Sequence, residues 1–179
     1  VTARATDAAG NASAASAPLA ITIDTAAPAA VSIPGISGGI LNTTEAASPT
    51  NATLSGLEAG ASASLTLSGN AAANPATPFS VVVPVASDGS FTLSPATLQG
   101  FADGTLTLSA RQTDLAGNAG PAASSTFVVD RVAPTMVITS SVTTVLFGQT
   151  ATIRFTFSED PQGFAAGDIV ATGGTISAL

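Results

Sequence analysis

The 179-residue sequence contains no cysteine, histidine, lysine, tryptophan or tyrosine. Without cysteine no disulfide can form, which leaves the redox compartment open. Without histidine, lysine, cysteine and tyrosine, most nucleophiles and general bases of enzymes are missing, and only hydroxyls and carboxylates remain. A two-carboxylate glycosidase is the one formal alternative, but sugar sites usually use aromatic platforms, and these carboxylates sit mostly at turns. We therefore expect no enzymatic activity.

Positive charge is also scarce, because four arginines face eleven carboxylates and the formal net charge is −7. A nucleic-acid partner requires a basic stripe to neutralise its phosphates, and an anionic lipid surface has a similar requirement. Neither partner is expected. A surplus of carboxylates instead suggests divalent cations as counter-ions. No run of eighteen apolar residues is present, so no membrane span is predicted.

A short motif occurs twice and defines the organisation of the chain. Asp114-Leu115-Ala116-Gly117-Asn118 repeats Asp7-Ala8-Ala9-Gly10-Asn11 at a spacing of 107 positions. We call these five-residue motifs the marker turns. Each is followed by an alternating stretch that ends in Asp and then Pro, at Asp24 and Asp130, 106 positions apart. The spacing indicates a tandem array with a unit slightly longer than 100 residues.

Alternating stretches and turn residues predict the strands of this unit. Leu106, Leu108 and Ala110 share one face of a predicted strand, and Asp88-Gly89 predicts a hairpin turn. A run from Pro78 to Val85 is confined by its prolines to an edge or to a short strand. The four phenylalanines expected as large core anchors are Phe79, Phe91, Phe101 and Phe127.

About seven short strands in roughly 100 residues predict an all-β fold of tandem immunoglobulin-like β-sandwich domains with Greek-key connections. We expect residues 1–26 to be the C-terminal strand pair of a truncated domain. Residues 27–131 would form a complete sandwich, and residues 132–179 the N-terminal part of a further one. The sequence starts without Met inside a predicted strand and shows no signal peptide, so we expect it to be a piece of a longer protein.

The marker turn, the strand before it and the Asp–Pro ending together resemble the bacterial Ig-like repeats of giant secreted cell-surface adhesins. These include the biofilm-associated and RTX-type adhesins. One departure is Leu106, where that family often has tyrosine. The resemblance implies an extracellular location at the bacterial cell surface and calcium at the junctions between domains.

Strand geometry leads to the same region of the molecule. Successive strands of an Ig sandwich run alternately between its two poles, so the loop before the last strand lies where the chain enters. This places Asp114 and Asn118 beside Asp24, with Glu58 at the same pole. By the same geometry Asp130 would face the corresponding pole of the third unit, and Asp7 with Asn11 would have faced an earlier linker. Calcium prefers such oxygen ligands.

A plain turn is the alternative explanation of the marker. Aspartate caps its own backbone in tight turns, and glycine and asparagine tolerate positive φ. The carboxylates of Glu45 and Asp103 lie near the opposite pole, where solvated loop carboxylates are the default.

The function that the sequence favours is a structural spacer, in which calcium-stiffened repeats hold a distal module away from the cell and support adhesion and biofilm formation. Its partners would be the neighbouring repeats of the same chain. Two alternatives stay open. One is a module that binds a host or matrix glycan or protein through its loops, and the other is a subunit of an extracellular filament or surface layer.

Overall fold

The computed structural model describes residues 1–177 and divides after Arg131 into two compact units, which are treated separately. The first unit contains seven strands. They are β1 (Ile40–Leu41), β2 (Thr50–Thr53), β3 (Ser62–Ala71), β4 (Asn74–Val83), β5 (Ser90–Leu93), β6 (Gly104–Thr113) and β7 (Ala123–Val129). Among residues 1–177, no helix is long and apolar enough to cross a membrane.

These strands form two sheets, as the alternation predicted. One sheet has the order β1-β7-β6-β3-β4, with β1 parallel to β7 and the other pairs antiparallel. The second sheet consists of β2 and β5, paired antiparallel. The chain therefore changes sheet before and after β2 and again around β5, which is the arrangement of an Ig-like sandwich. The predicted all-β class is confirmed, and β4 is an edge strand as its prolines indicated.

The core fills the space between the sheets with the inward faces of the strands. Leu106, Leu108 and Ala110 are all buried on β6, as their period-two spacing predicts. Phe91, Phe101 and Phe127 are buried as expected. The prediction for Phe79 is wrong, because this side chain is 40% exposed. Its ring packs 4.9 Å from that of Phe101, so on the edge strand β4 it covers the core instead of entering it.

Two short helices connect strands at the ends of the sandwich. Helix α1 (Thr43–Ala46) starts at Asn42, whose side chain accepts from backbone N–H groups while the Glu45 carboxylate accepts from the Asn42 N–H, forming a capping box. Helix α2 (Pro95–Gln99) has Ser94 as its N-cap and proline in its first turn. Both helices are at most five residues long, consistent with a sequence that lacks helical periodicity.

Residues 1–26 contain no β-strand, although they fold back on themselves. The backbone N–H and C=O of Val1 both bond to Leu19, and Thr6 and Ala12 form an isolated bridge around the first marker turn. Every residue of this stretch is exposed. The assignment of residues 1–26 as a strand pair from a separate domain stays a prediction.

The second unit, from Val132 onward, contains the antiparallel pair β8 (Met136–Ser140) and β9 (Ile153–Phe157). Phe155 and Phe157 pack against Phe164, with ring centroids 5.3 and 4.9 Å apart. Short 3-10 turns occur at Ser37–Gly39 in the first unit and at Ala166–Asp168 in the second.

Candidate junction site at the entry pole

The second marker turn is held together by its own aspartate. One carboxylate oxygen of Asp114 accepts the backbone N–H of Asn118 at 2.8 Å, and the other accepts the Asn118 side-chain N–H at 2.9 Å. The backbone N–H of Gly117 donates to the Asp114 carbonyl at 3.2 Å. Gly117 has φ +91°, a left-handed conformation that glycine adopts without a steric penalty. The marker is therefore a tight turn built around one carboxylate.

The first marker turn has the same internal geometry. Asp7 accepts the Asn11 backbone N–H at 2.8 Å and the Asn11 side-chain N–H at 2.9 Å, and Gly10 has φ +90°. Bridges that flank the two turns also correspond, since Thr6 pairs with Ala12 and Thr113 with Ala119. A five-residue motif, identical at four of its positions, thus fixes the same local structure in two places.

Hydrogen bonding favours the ionised form of both aspartates. The Asn118 side chain is the main cause that lowers the pKa of Asp114, and the Asn11 side chain does the same for the pKa of Asp7. An amide that donates to a carboxylate stabilises its negative charge without adding a compensating charge. Both turns therefore carry a full negative charge at neutral pH.

Asn118 also reaches the incoming chain. Its side-chain nitrogen donates to the backbone carbonyl of Asp24 at 3.2 Å while it donates to Asp114 at 2.9 Å. The Asp24 carboxylate accepts the backbone N–H of Ala26 at 3.0 Å and so shapes the linker that follows. Asp24, Asp114 and Asn118 thus lie together, although the contact with Asp24 is through its backbone.

The linker continues into a buried polar contact centred on Gln112. Gln112 is 1% exposed, and its side-chain nitrogen donates to the carbonyls of Ala29 at 2.8 Å and Gly56 at 3.1 Å. Its side-chain oxygen accepts the backbone N–H of Glu58 at 2.9 Å. One side chain therefore joins the linker, the turn after β2 and strand β6.

Gly120 provides the space in which the linker lies. A Cβ atom at this position would stand 2.6 Å from the Pro28 carbonyl oxygen and 3.1 Å from that of Ala29. Both Gly120 and Pro28 are buried, and Arg111 donates from its guanidinium to the Gly120 carbonyl. The linker backbone consequently packs directly on the backbone that follows the marker turn.

Glu58 lies at this pole, as predicted. Its turn is closed by a bond from the Ala61 N–H to the Glu58 carbonyl at 3.0 Å, and a Cβ at Gly60 would stand 2.8 Å from the Leu115 side chain. The turn after β2 therefore contacts the marker turn. The Glu58 side chain is exposed, and the residue reaches the cluster through its backbone N–H, which donates to Gln112.

The opposite pole carries a separate charged cluster at the exit of the unit. Asp103 accepts from the backbone N–H of Arg131 at 2.9 Å and forms an ion pair with its guanidinium at 2.7 Å. The same guanidinium donates to the carbonyls of Leu98 and Phe101 at 2.7 and 3.2 Å. Asp103 is therefore a structural partner of Arg131, a role that the sequence reading did not assign. Asp130 donates its backbone N–H to the Leu41 carbonyl at 2.9 Å.

The pole at which the chain enters the sandwich, here called the entry pole, offers the types of oxygen ligand that calcium binds. Few of these ligands are charged carboxylates. Carboxylate, side-chain amide and backbone carbonyl oxygens are the ligands calcium takes, at roughly 2.3–2.6 Å. Within residues 1–177, however, no three acidic side chains cluster in a way that could hold a metal ion. A low count of charged ligands corresponds to the weak end of calcium affinities, about 10⁻⁴ to 10⁻³ M in extracellular modules.

Gln112 and Gly120 are the pole residues that the sequence reading missed. A signal for Gln112 was present, because it continues the apolar face of Leu106, Leu108 and Ala110 and is the one polar member. A polar residue at a core position must find partners, so it marks a place where the sandwich meets backbone from elsewhere. Gly120 gave no comparable signal, since glycine in a Ser/Ala-rich loop has many explanations.

Comparison with known families gives a match over the C-terminal part. Residues 130–179 match the model of a family described as bacterial Ig-like domain. The match begins at Asp130 of the Asp–Pro ending and includes neither marker turn, so it confirms the resemblance to bacterial Ig-like domains for fewer than half of the residues. No curated protein sequence matches the chain significantly.

Three solved structures resemble the chain at low identity. A tetra-tandem repeat from the extending region of a large adhesion protein is 24% identical over 87% of this chain, with a TM-score of 0.38. A 1.5-MDa bacterial ice-binding adhesin is 20% identical over 64%, also at 0.38, and a Ca2+-stabilized adhesin of an Antarctic bacterium is 21% identical over 77%, at 0.36. This chain spans 37%, 37% and 33% of their lengths. At these TM-scores the likeness carries no argument about the arrangement of the units.

Proposed function

We propose that the chain is a segment of tandem Ig-like spacer repeats in a bacterial cell-surface adhesin, located outside the cell, that holds an adhesive module at a distance and so supports adhesion and biofilm formation. The observation that carries the proposal is the junction contact within a repeat. The marker turn recurs at 107 positions, and in the complete unit Asn118 bonds the incoming chain at Asp24. A motif that recurs at the repeat spacing and bonds the incoming chain in the complete unit fits a role at the junction better than the binding of an external ligand.

The domain boundaries belong to the same proposal. Residues 1–26 would be the last two strands of one repeat, 27–131 a complete repeat and 132–179 the start of the next. The repeat relation supports this division, because Val1 bonds to Leu19 where the equivalent Leu108 pairs with Ser125 in the complete unit. The neighbouring repeats of the same chain would then be the principal partners of each unit.

The proposal also includes a calcium ion bound at each junction between repeats. Asp24, Asp114 and Asn118 would supply oxygens together with loop carbonyls, with Glu58 at the same pole. Asp7 and Asn11 would serve the preceding junction, and Asp130 the following one. The cation would neutralise carboxylates of adjoining units and reduce bending of the linker. The role is mechanical and needs no catalytic group.

Small-angle scattering and thermal unfolding of the chain, in millimolar calcium and then in chelator, test this role. We expect calcium to raise the melting temperature and to extend the particle, and Asp114→Ala to remove both responses. The matched control is Glu45→Ala, because Glu45 is also a hydrogen-bonded carboxylate, accepting from Asn42 and Ser37. Its helix lies at the opposite pole, where Thr43 donates to the Arg131 carbonyl. The calcium response itself is compared between variants, so that a loss of stability without calcium does not affect the result.

If calcium changes neither quantity in the unaltered chain, the marker is only a turn and the calcium proposal is wrong. A calcium response that Asp114→Ala preserves would locate the ion elsewhere. A lateral association of particles that grows with concentration would support the filament or surface-layer alternative over the spacer.

A further inference from the structure

We infer that the sandwich of residues 27–131 contains a docking groove for the incoming chain, which holds residues 24–29 on one path through neutral hydrogen bonds that need no metal ion. The groove consists of Gln112, Asn118 and Gly120, and its occupant is the linker itself. This inference is independent of the calcium proposal and makes a different prediction for chelator.

The central contact is the buried amide of Gln112. Its two N–H donors are used by the Ala29 and Gly56 carbonyls, and its oxygen is used by the Glu58 N–H. A buried amide whose partners leave loses much more than an exposed one, because water cannot replace them. Because Gln112 is only 1% exposed, it favours the state in which the Ala29 carbonyl remains hydrogen-bonded to its side chain.

Shape complements these hydrogen bonds. Gly120 leaves room for the Pro28 and Ala29 carbonyls, which a Cβ would approach to 2.6 and 3.1 Å. Pro28 is buried in this position, and proline restricts the linker backbone further. At the start of the segment, Asn118 holds the Asp24 carbonyl at 3.2 Å. Residues 24–29 are thus fixed near both ends.

The first marker turn shows that the groove is not an automatic product of the marker. Ala5 stands at the position equivalent to Gln112, and Ser13 at the position equivalent to Gly120. Ser13 accepts the Ala5 backbone N–H through its hydroxyl at 3.0 Å. The amide and the open space are both replaced there, so the groove is not repeated beside the first marker turn.

The chain offers a clean test because it has no cysteine. Ala27 is exposed, so Ala27→Cys can carry a single nitroxide on the linker. Electron paramagnetic resonance of the labelled chain is recorded in chelator. We expect a slow-motion spectrum in the parent chain and loss of the slow component in Gln112→Leu. Gln99→Leu, which replaces an exposed glutamine of α2, is the matched control and should leave the spectrum unchanged.

A second variant keeps the test decisive if Gln112→Leu does not fold. Burial raises the pKa of a glutamate, so Gln112→Glu is compared between about pH 5 and about pH 10. Its protonated form has one donor for the Ala29 or Gly56 carbonyl, whereas the carboxylate at the alkaline end has none. We expect a mobile label at alkaline pH that becomes slower on acidification, while the parent label stays slow throughout. A label that chelator alone makes mobile in the parent, or one that is indifferent to both Gln112 variants, would overturn the inference.

Discussion

The two marker turns have matching sequence patterns and matching internal hydrogen bonds but different surroundings. The turn at Asp114 contacts the incoming chain, the turn after β2 and the sandwich that supports it. The turn at Asp7 lies in an exposed stretch, and within residues 1–177 the hydrogen bonds of residues 1–19 stay inside that stretch. The marker therefore encodes a turn, whereas its role at a junction depends on the sandwich around it.

The largest expected difference between the two regions concerns core contacts. Phe127 is 2% exposed, whereas Ile21, its equivalent at the 106-residue spacing, is 65% exposed. Phe127→Ala should destabilise the sandwich by about 3–5 kcal/mol, because it leaves a cavity between the sheets. Ile21→Ala should cost less than about 0.5 kcal/mol in this chain. Chemical denaturation of both variants measures the difference. Comparable losses would show that residues 1–26 already have a packed core.

A smaller loss of stability should follow when the residue beside the Asp114 turn is replaced by the one that stands beside the Asp7 turn. Gly120→Ser introduces the side chain that stands at Ser13, and its Cβ would meet linker backbone, which cannot move aside as a flexible side chain could. We expect a loss of about 1–3 kcal/mol, as for overpacking elsewhere. The control is Ala119→Ser at the neighbouring exposed position. Equal stability of the two variants would contradict the close packing of Pro28 on Gly120.

The smallest effect is a change in acid sensitivity. The pKa of Asp114 is lowered in the folded state, chiefly by Asn118, so the contribution of this carboxylate is present above its ordinary value of 3.8 and is lost as pH falls through the folded value. Asp114→Asn should therefore reduce the fall in unfolding midpoint between about pH 5 and pH 2. Asp7→Asn should not, although the pKa of Asp7 is lowered too, because within residues 1–177 the hydrogen bonds of its turn stay inside residues 1–19.

Denaturant midpoints across this pH range, measured for the parent and both variants, test the difference. If Asp7→Asn flattens the pH dependence as much as Asp114→Asn does, then residues 1–26 unfold cooperatively with the sandwich. The two regions would then be one folding unit, against the proposed boundary at residue 26.

Local pattern was sufficient for the elements whose structure is decided locally. The alternation in β6 gave its inward face, the prolines placed β4 at an edge, and the two marker turns formed as their Asp, Gly and Asn residues predict. The burial of Phe79 did not follow from its sequence, because burial on an edge strand depends on whether another segment covers that edge. The local sequence pattern carries no information about such a covering segment.

The junction required contacts between distant parts of the chain. Asn118 bonds to Asp24 across 94 positions and Gln112 to Ala29 across 83, and neither pairing follows from the residues alone. Strand order was enough to predict which segments meet at one pole. It did not predict which side chain joins them. Asp114 and Asn118 belonged to the predicted cluster, whereas the buried side chain that contacts the linker is Gln112.

Alternation and turn residues act over a few neighbouring positions, and they are enough to specify the all-β class, the repeat and the form of both marker turns. Only the fold specifies that the incoming chain is held beside one marker turn and not beside the other. A hydrogen bond gains strength when its partners are withdrawn from water, and for the contact beside Asp114 this withdrawal depends on the packing of the whole sandwich around Gln112 and Gly120.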